Sequence, residues 1–393
     1  IVDKTIEYIR QDERKGDPFF AFVSFMAVHI PVQAPASFRD RYQGVYSSGW
    51  ESLARSRSNG LERTGILKER YPVNLAPTAR DWDTLSTDEQ YLYERAMQVY
   101  AGMVEAMDYH VGRLIDYLEQ SGELENTVFV FLSDNGAEGS MAIGPSVPWV
   151  SGYFMKAWMT LNGYRSNPAS MGERGSFVNI GPSWAGALVG PLSWFKFHST
   201  EGGMRVPLVI SGKTSGTSIA RSPGIVFDGF VWVTDLVPTL LQIAGIEVGE
   251  KFSGRSLVPA LNGEVISIHG EKEDIGYELG GNKALFRPPH KLVYNRDGLE
   301  EPSWQLFNFV EDPGETTDLG FDEPELHSAM LKSYQSWAKE NRVLEVPEGY
   351  TQIQQVFINS LKSRPVLLVV PLCLFLVGLA FFVYILRLSF RRR

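Results

Sequence analysis

Thr127-Val-Phe-Val-Phe-Leu-Ser-Asp-Asn-Gly136 opens as an unbroken run of β-branched, aromatic and aliphatic residues and closes on turn-forming polar ones. A short run of that composition reads as a strand buried on both faces. A long helix precedes it: Ser86, Thr87 and Asp88 supply a cap and an early negative charge, and Gly122 supplies the stop. Between them Leu92, Ala96, Tyr100, Val104, Met107, Val111, Leu114 and Leu118 recur every three or four residues and give the helix one apolar face. Two further runs read as strands, Pro18 to Met26 leading into Val28-His29-Ile30-Pro31, and Val206 to Ile210. Trp232 to Ala244, entered through Thr-Asp-x-x-Pro, reads as a helix. Strands alternating with helices predict an α/β fold, a mostly parallel sheet covered on both faces. After about residue 265 the pattern changes to short strands (Lys291 to Tyr294, Gln305 to Asn308) and a last helix, Pro324 to Glu340, which predicts a small α+β subdomain over 266–345.

The chain has 393 residues, 44% apolar and 21% charged, with a net charge of −9. That suffices for a large core and excludes disordered, collagen-like and disulfide-stapled classes. The acidic balance argues against a nucleic-acid partner, because phosphate binding needs a basic surface. Cys373 is the sole cysteine, which excludes an intramolecular disulfide and a multi-thiolate metal site. The chain starts at Ile1 without a basic-then-apolar signal segment, so it is expected to begin partway through a longer protein. Residues 36–85 read as a surface excursion, and 137–195 as a functional wall or lid. Its aromatics (Trp149, Tyr153, Trp158, Tyr164, Phe177, Trp184, Trp194) suit either a pocket for an aryl or glycan group or core packing.

Val366 to Leu386 carries no charged residue and is long enough to cross a bilayer core of ~30 Å. Lys362 and Arg364 flank one end, and Arg387, Arg391, Arg392 and Arg393 the other. The expected arrangement is a linker at 346–365, a transmembrane helix at 366–386 and a basic cytoplasmic tail at 387–393. The protein would then be membrane-anchored, with its catalytic domain periplasmic or extracellular.

In open α/β sheets, ligands bind at the carboxyl ends of strands. Asp134 and Asn135 follow one strand directly and offer hard oxygens of the kind that Ca²⁺ and Mg²⁺ prefer, although Asp-Asn-Gly also makes a plain turn. His29, just past a strand end, suits proton donation or an anion contact as well as a structural role. Lys196 lies in Trp194-Phe-Lys-Phe-His198, among aromatic flanks unusual for a solvated lysine. It fits stabilisation of a tetrahedral oxyanion such as sulfate or phosphate, or a stem packed on aromatics with its head in water. Gly202 and Gly203 permit a tight turn before the next strand.

Taken in order, these pieces resemble the sulfatase family of the alkaline-phosphatase superfamily, bacterial arylsulfatases in particular. The resemblance rests on residues 18–35, Phe131-Leu-Ser-Asp-Asn-Gly-Ala-Glu-Gly139, Phe195-Lys-Phe-His-Ser-Thr-Glu-Gly-Gly-Met-Arg-Val-Pro207, residues 233–245, Gly254-Arg-Ser-Leu257 and Leu306-Phe-Asn-Phe-Val-Glu-Asp-Pro-Gly314. It implies an alkaline-phosphatase-like mixed sheet, whose distal part occupies residues 1–265. It further implies that Asp134 and Asn135 bind one Ca²⁺ (or Mg²⁺) and that His29 and Lys196 meet a sulfate ester. His198 has no role by resemblance. Asn135 favours sulfatases over phosphate- and phosphonate-cleaving relatives, which tend to carry Asp-His there. The family's Cys-x-Pro-x-Arg or Ser-x-Pro-x-Arg sequence, whose first residue a formylglycine-generating enzyme converts to the nucleophile, does not occur here. The expectation is the C-terminal part of a sulfatase, inactive alone, with its formylglycine upstream of residue 1. The alternatives are a phosphoester or phosphonate hydrolase on the same scaffold, or a non-catalytic membrane-tethered binding protein.

Overall fold

The computed structural model describes residues 1–11, 17–67, 71–73, 75–141, 149–165, 167–212, 224–249, 252–270, 273–296, 302–347, 349–350 and 352–363. Helices α1 (Val2–Gln11) and α2 (Gly49–Arg63) precede the long helix α3 (Thr87–Ser121). The start of α3 is a capping box: the Glu89 N–H donates to Ser86 Oγ, and the Ser86 N–H donates to the Glu89 carboxylate. Gly122 ends the helix in the left-handed conformation, at φ 78°. The amino-terminal half of α3 is buried on several sides through Tyr93, Ala96, Met97, Val99 and Ala101. Val104, expected on the apolar face, is exposed.

The surface excursion expected at 36–85 instead supplies core. Trp50 on α2 is fully buried, and Trp82 packs on it at 4.8 Å and 89°. The Trp50 indole N–H donates to the Arg80 carbonyl at 2.8 Å, so burial leaves its one donor satisfied. Tyr93 of α3 and Trp184 meet Trp50 edge-on at 5.5 Å each. These anchors sit on a helix and on an isolated turn, so they share no period that sequence reading detects.

Trp184 belongs to a segment expected to be a wall or lid. Residues 149–189 hold helices α4 (Trp149–Leu161) and α5 (Gly181–Val189). α5 is buried nearly all round, through Ser183, Trp184, Ala185 and Ala187, and a helix buried on all sides carries no amphipathic stripe.

Strand β1 (Val128–Leu132) pairs antiparallel with β2 (Leu208–Gly212), Val130 opposite Ile210. The mostly parallel sheet is thus not seen among the described residues. Residues 18–26 form no strand: Phe20 is 75% exposed and Phe22 82%. A run of β-formers becomes a strand only when an edge accepts its hydrogen bonds, and residues 18–26 join neither sheet among the described residues.

After the short helix α6 (Leu236–Ile243) the chain forms an antiparallel meander, β3 (Ile275–Leu279), β4 (Asn282–Arg287), β5 (His290–Tyr294) and β6 (Gln305–Asn308). Helix α7 (Pro324–Glu340) covers one face, with Met330 and Tyr334 packed on Leu285, Leu292 and Leu306.

The expected membrane anchor requires a correction. Among the described residues no helix is long and apolar enough to cross a membrane. The last described helix, α8 (Gln352–Ser363), has 12 residues and spans about 18 Å, against a bilayer core of ~30 Å. Residues 366–386 and the tail 387–393 lie outside the described residues. Membrane anchoring, and the periplasmic or extracellular placement drawn from it, are therefore set aside.

Candidate functional site

The site forms where two loops approach with almost no space between their backbones. Gly136, just past β1, donates its N–H to the Gly203 carbonyl at 3.0 Å. A Cβ on Gly136 would lie 1.8 Å from the Gly202 oxygen, and one on Gly203 would lie 2.1 Å from the His198 oxygen. Gly202 and Gly203 sit in a short helical turn, Glu201–Met204, so they serve close approach between strands of backbone and not a left-handed bend. The Lys196 N–H donates to the Ala137 carbonyl at 3.0 Å and completes the join.

The two residues flanking Phe195-Lys196 are strained. Trp194 has φ 59° and Phe197 φ 80°, a region that costs non-glycine residues of order 1–3 kcal/mol each. His198 braces this turn: its ring stacks on Trp194 at 4.3 Å, and Nδ1 lies 3.1 Å from the Phe195 carbonyl oxygen. Phe195 is buried against Gly139, where a Cβ would come within 2.4 Å of its ring. Trp194 and Phe195 are thus packing groups of the turn, and the Lys196 ammonium lies 5.3 Å from the Phe197 ring centroid.

Lys196 itself reaches the surface of this junction. Its ammonium donates to Glu138 Oε2 at 2.8 Å and to His29 Nε2 at 3.0 Å. His29 Nε2 is 3.4 Å from the same Glu138 oxygen. His29 Nδ1 lies 2.8 Å from the Ile30 carbonyl oxygen, so the tautomer that satisfies both ring contacts carries its proton on Nδ1 and offers the Nε2 lone pair to Lys196. His29 is half-exposed and Glu138 is 9% exposed, which leaves the cluster open on the histidine side.

Glu138 is the residue that sequence reading missed. Burial drives its carboxyl upward, but hydrogen bonds from Lys196 and from Ser140, whose N–H donates to Oε1 at 2.9 Å, outweigh that and hold it below the ordinary carboxylate value. Its signal in the sequence was slight: one acid between Ala137 and Gly139 in the loop after a strand.

Asp134 and Asn135 lie on that same loop, Asp134 exposed and Asn135 partly buried. The Ser133 hydroxyl donates to the Asn135 carbonyl at 2.9 Å. Their side chains have the hard-oxygen chemistry of a Ca²⁺ or Mg²⁺ site, but two residues fall short of the six or more oxygens such an ion takes. Among the described residues no group of three or more His, Cys, Asp or Glu gathers to hold a metal. Of the aromatics at 141–197, Trp184 is core, Trp158 stacks on Tyr164, Tyr164 meets Phe177 edge-on, and Tyr153 is exposed.

Comparison with known proteins matches residues 1–246 to the sulfatase family model. An uncharacterized sulfatase of Schizosaccharomyces pombe is 32% identical over 88% of this chain and 62% of its own. An arylsulfatase of Klebsiella aerogenes is 30% identical over 66% of this chain and 53% of its own. The chain therefore spans between half and two thirds of the length of these relatives. Among solved structures, Ps i-CgsB in complex with k-i-k-neocarrahexaose superposes with a TM-score of 0.54, at 20% identity, over 93% of this chain and 59% of that one. A putative sulfatase of Bacteroides fragilis superposes with a TM-score of 0.51, at 17% identity, over 87% of this chain and 58% of that one, so the fold is shared with these structures. With a family model matched over 246 of 393 residues, the chain belongs to the sulfatase family.

Proposed function

We propose that this chain carries part of the machinery for hydrolysing a sulfate ester of an aryl or glycan alcohol. The observation that carries the reading is the meeting of Lys196, His29 and Glu138 from three separate stretches of chain at the open end of a strained turn. Lys196 supplies a fixed ammonium for a sulfuryl oxygen, and its contact with His29 Nε2 gives the proton of the departing alcohol a path between two nitrogens. Glu138 orients the ammonium through the 2.8 Å contact. Because Glu138 and Lys196 cancel, the negative charge of a sulfate ester calls for a cation beyond this cluster.

Sulfatases typically use a metal ion and a formylglycine. Asp134 and Asn135 suit two ligands of a divalent cation, Ca²⁺ or Mg²⁺, which when bound supplies that missing positive charge. The remaining ligands and the formylglycine come from outside residues 1–393, in which no Cys-x-Pro-x-Arg or Ser-x-Pro-x-Arg sequence occurs. The chain alone is then inactive. The test is steady-state turnover of p-nitrophenyl sulfate and p-nitrophenyl phosphate by the full-length gene product. Sulfate turnover should exceed phosphate turnover by orders of magnitude, and the reverse order would move the protein to the phosphoester hydrolases.

A further inference from the structure

The turn that carries Lys196 is held from behind by the four-stranded sheet. Asn282, fully buried at the start of β4, donates Nδ2–H to the Phe197 carbonyl at 2.5 Å and accepts the Arg296 N–H through Oδ1 at 2.7 Å. That amide thus fastens the residue at φ 80° immediately after Lys196. The Ser199 hydroxyl donates to the Lys283 carbonyl at 2.9 Å, and the Ser199 N–H donates to Asn295 Oδ1 at 2.8 Å. Two residues further on, Lys291 of β5 donates to Glu201 Oε1 at 2.9 Å and to Glu315 Oε1 at 3.0 Å. Glu315 Oε2 also accepts the Glu201 N–H at 2.7 Å.

Lys291 is 0% exposed, with its ammonium 4.8 Å from the Phe286 ring centroid. A lysine and two glutamates buried together are expensive to desolvate, and apolar residues of similar volume often stabilise such a position better. Nothing in the proposed chemistry uses these three groups directly. What they do is fix Glu201, and with it the far end of the strained turn, against a rigid sheet.

We propose that Asn282 and Lys291 are positioning residues for Lys196, bracing the turn from Trp194 to Glu201 so that the ammonium stays aimed at His29 and Glu138. The proposal rests on the reading of Lys196 as a sulfuryl-binding group. Its test uses the full-length gene product with Asn282→Ala and Lys291→Met. Two quantities are measured on each folded variant: the rate at which acetic anhydride labels Lys196, followed by peptide mass spectrometry, and kcat and KM for p-nitrophenyl sulfate. Labelling of Lys196 should rise severalfold while the exposed Lys339 reacts as in the wild type. The kcat should fall about tenfold or more with little change in KM, as displacing a positioned group does. Wild-type values of either quantity in both folded variants would overturn the proposal. Should Lys291→Met fail to fold, Ser199→Ala, which removes a single hydroxyl, takes its place with the same expectations. If the wild-type enzyme itself cleaves no sulfate ester, the functional reading falls and the labelling rate alone decides whether the sheet positions Lys196.

Discussion

Burial pushes the Glu138 carboxyl up, yet Lys196 and Ser140 donate to it and hold it below the ordinary carboxylate value. Its folded-state value lies below the ordinary 4.5, so its stabilising contribution is complete above that pH and disappears as the pH falls through the folded value. Glu138→Gln should therefore lower stability at pH 7 by about 1.5–3 kcal/mol, the worth of a hydrogen bond to a charged group. The same variant should lose less than the wild type on acidification. Urea denaturation at neutral and acid pH measures both, and parallel acid limbs in the two proteins would contradict the assignment. His29, Lys196, Asp134 and Asn135 are singled out by sequence alone because each lies at an expected strand end or among unusual neighbours, although the strand expected before His29 does not form. Glu138 is not singled out, since its importance comes from a lysine 58 positions away in sequence and not from its local pattern.

Helix α6 shows what local signals reveal about an element and what they hide. Thr-Asp-x-x-Pro announces the helix start, and the structure places a helix there. The further role of Asp235 is tertiary: fully buried, it accepts the Trp232 N–H at 2.7 Å, the Arg255 N–H at 2.8 Å and a contact from His269 Nε2 at 2.8 Å. The hydrogen bond to Asp235 raises the His269 pKa, with burial opposing and Glu273, 3.3 Å from Nδ1, adding to the rise. Stability from this raised pKa is fully present below 6.5 and is lost as pH climbs through the folded value. Asp235→Ala should cost about 3–5 kcal/mol, because it strands a buried partner and two backbone donors. His269→Gln should abolish the wild-type decline in stability on going from mildly acid to alkaline pH; thermal melts across that range would show it, and an unaltered decline would refute the link. Strand β2 makes a similar point about limits. It was expected from Val206, but Pro207 has no N–H to give a ladder, and pairing begins at Leu208. The run at 18–26 has the composition of a strand and lacks a described neighbour to pair with, which no reading of its own residues reveals.

Across the whole molecule, the two sheets meet at the turn from Trp194 to Met204: its glycines dock on the loop after β1, and its polar atoms are held by β4, β5 and Glu315. Family-like stretches far apart in sequence thus converge on one structural joint. The long helix and the late α+β elements were legible because the helix carries its own cap and period and the strands are short apolar runs between turn residues, whereas the antiparallel pairing of β1 with β2 was not. The aromatic core around Trp50 was not, because its members come from α2, an isolated turn, α3 and α5 and share no register. The apolar run at 366–386 and its flanking charges suggested an anchor; that run lies outside the described residues, among which no helix is long and apolar enough to cross a membrane. The most direct measurement is kcat/KM for p-nitrophenyl sulfate in the full-length gene product, wild type against Lys196→Ala, with folding verified by circular dichroism. The expected result is a loss of about 100- to 1,000-fold, the usual consequence of removing a group that stabilises developing charge. A folded Lys196→Ala enzyme that hydrolyses the sulfate ester at the wild-type rate would contradict the site described above.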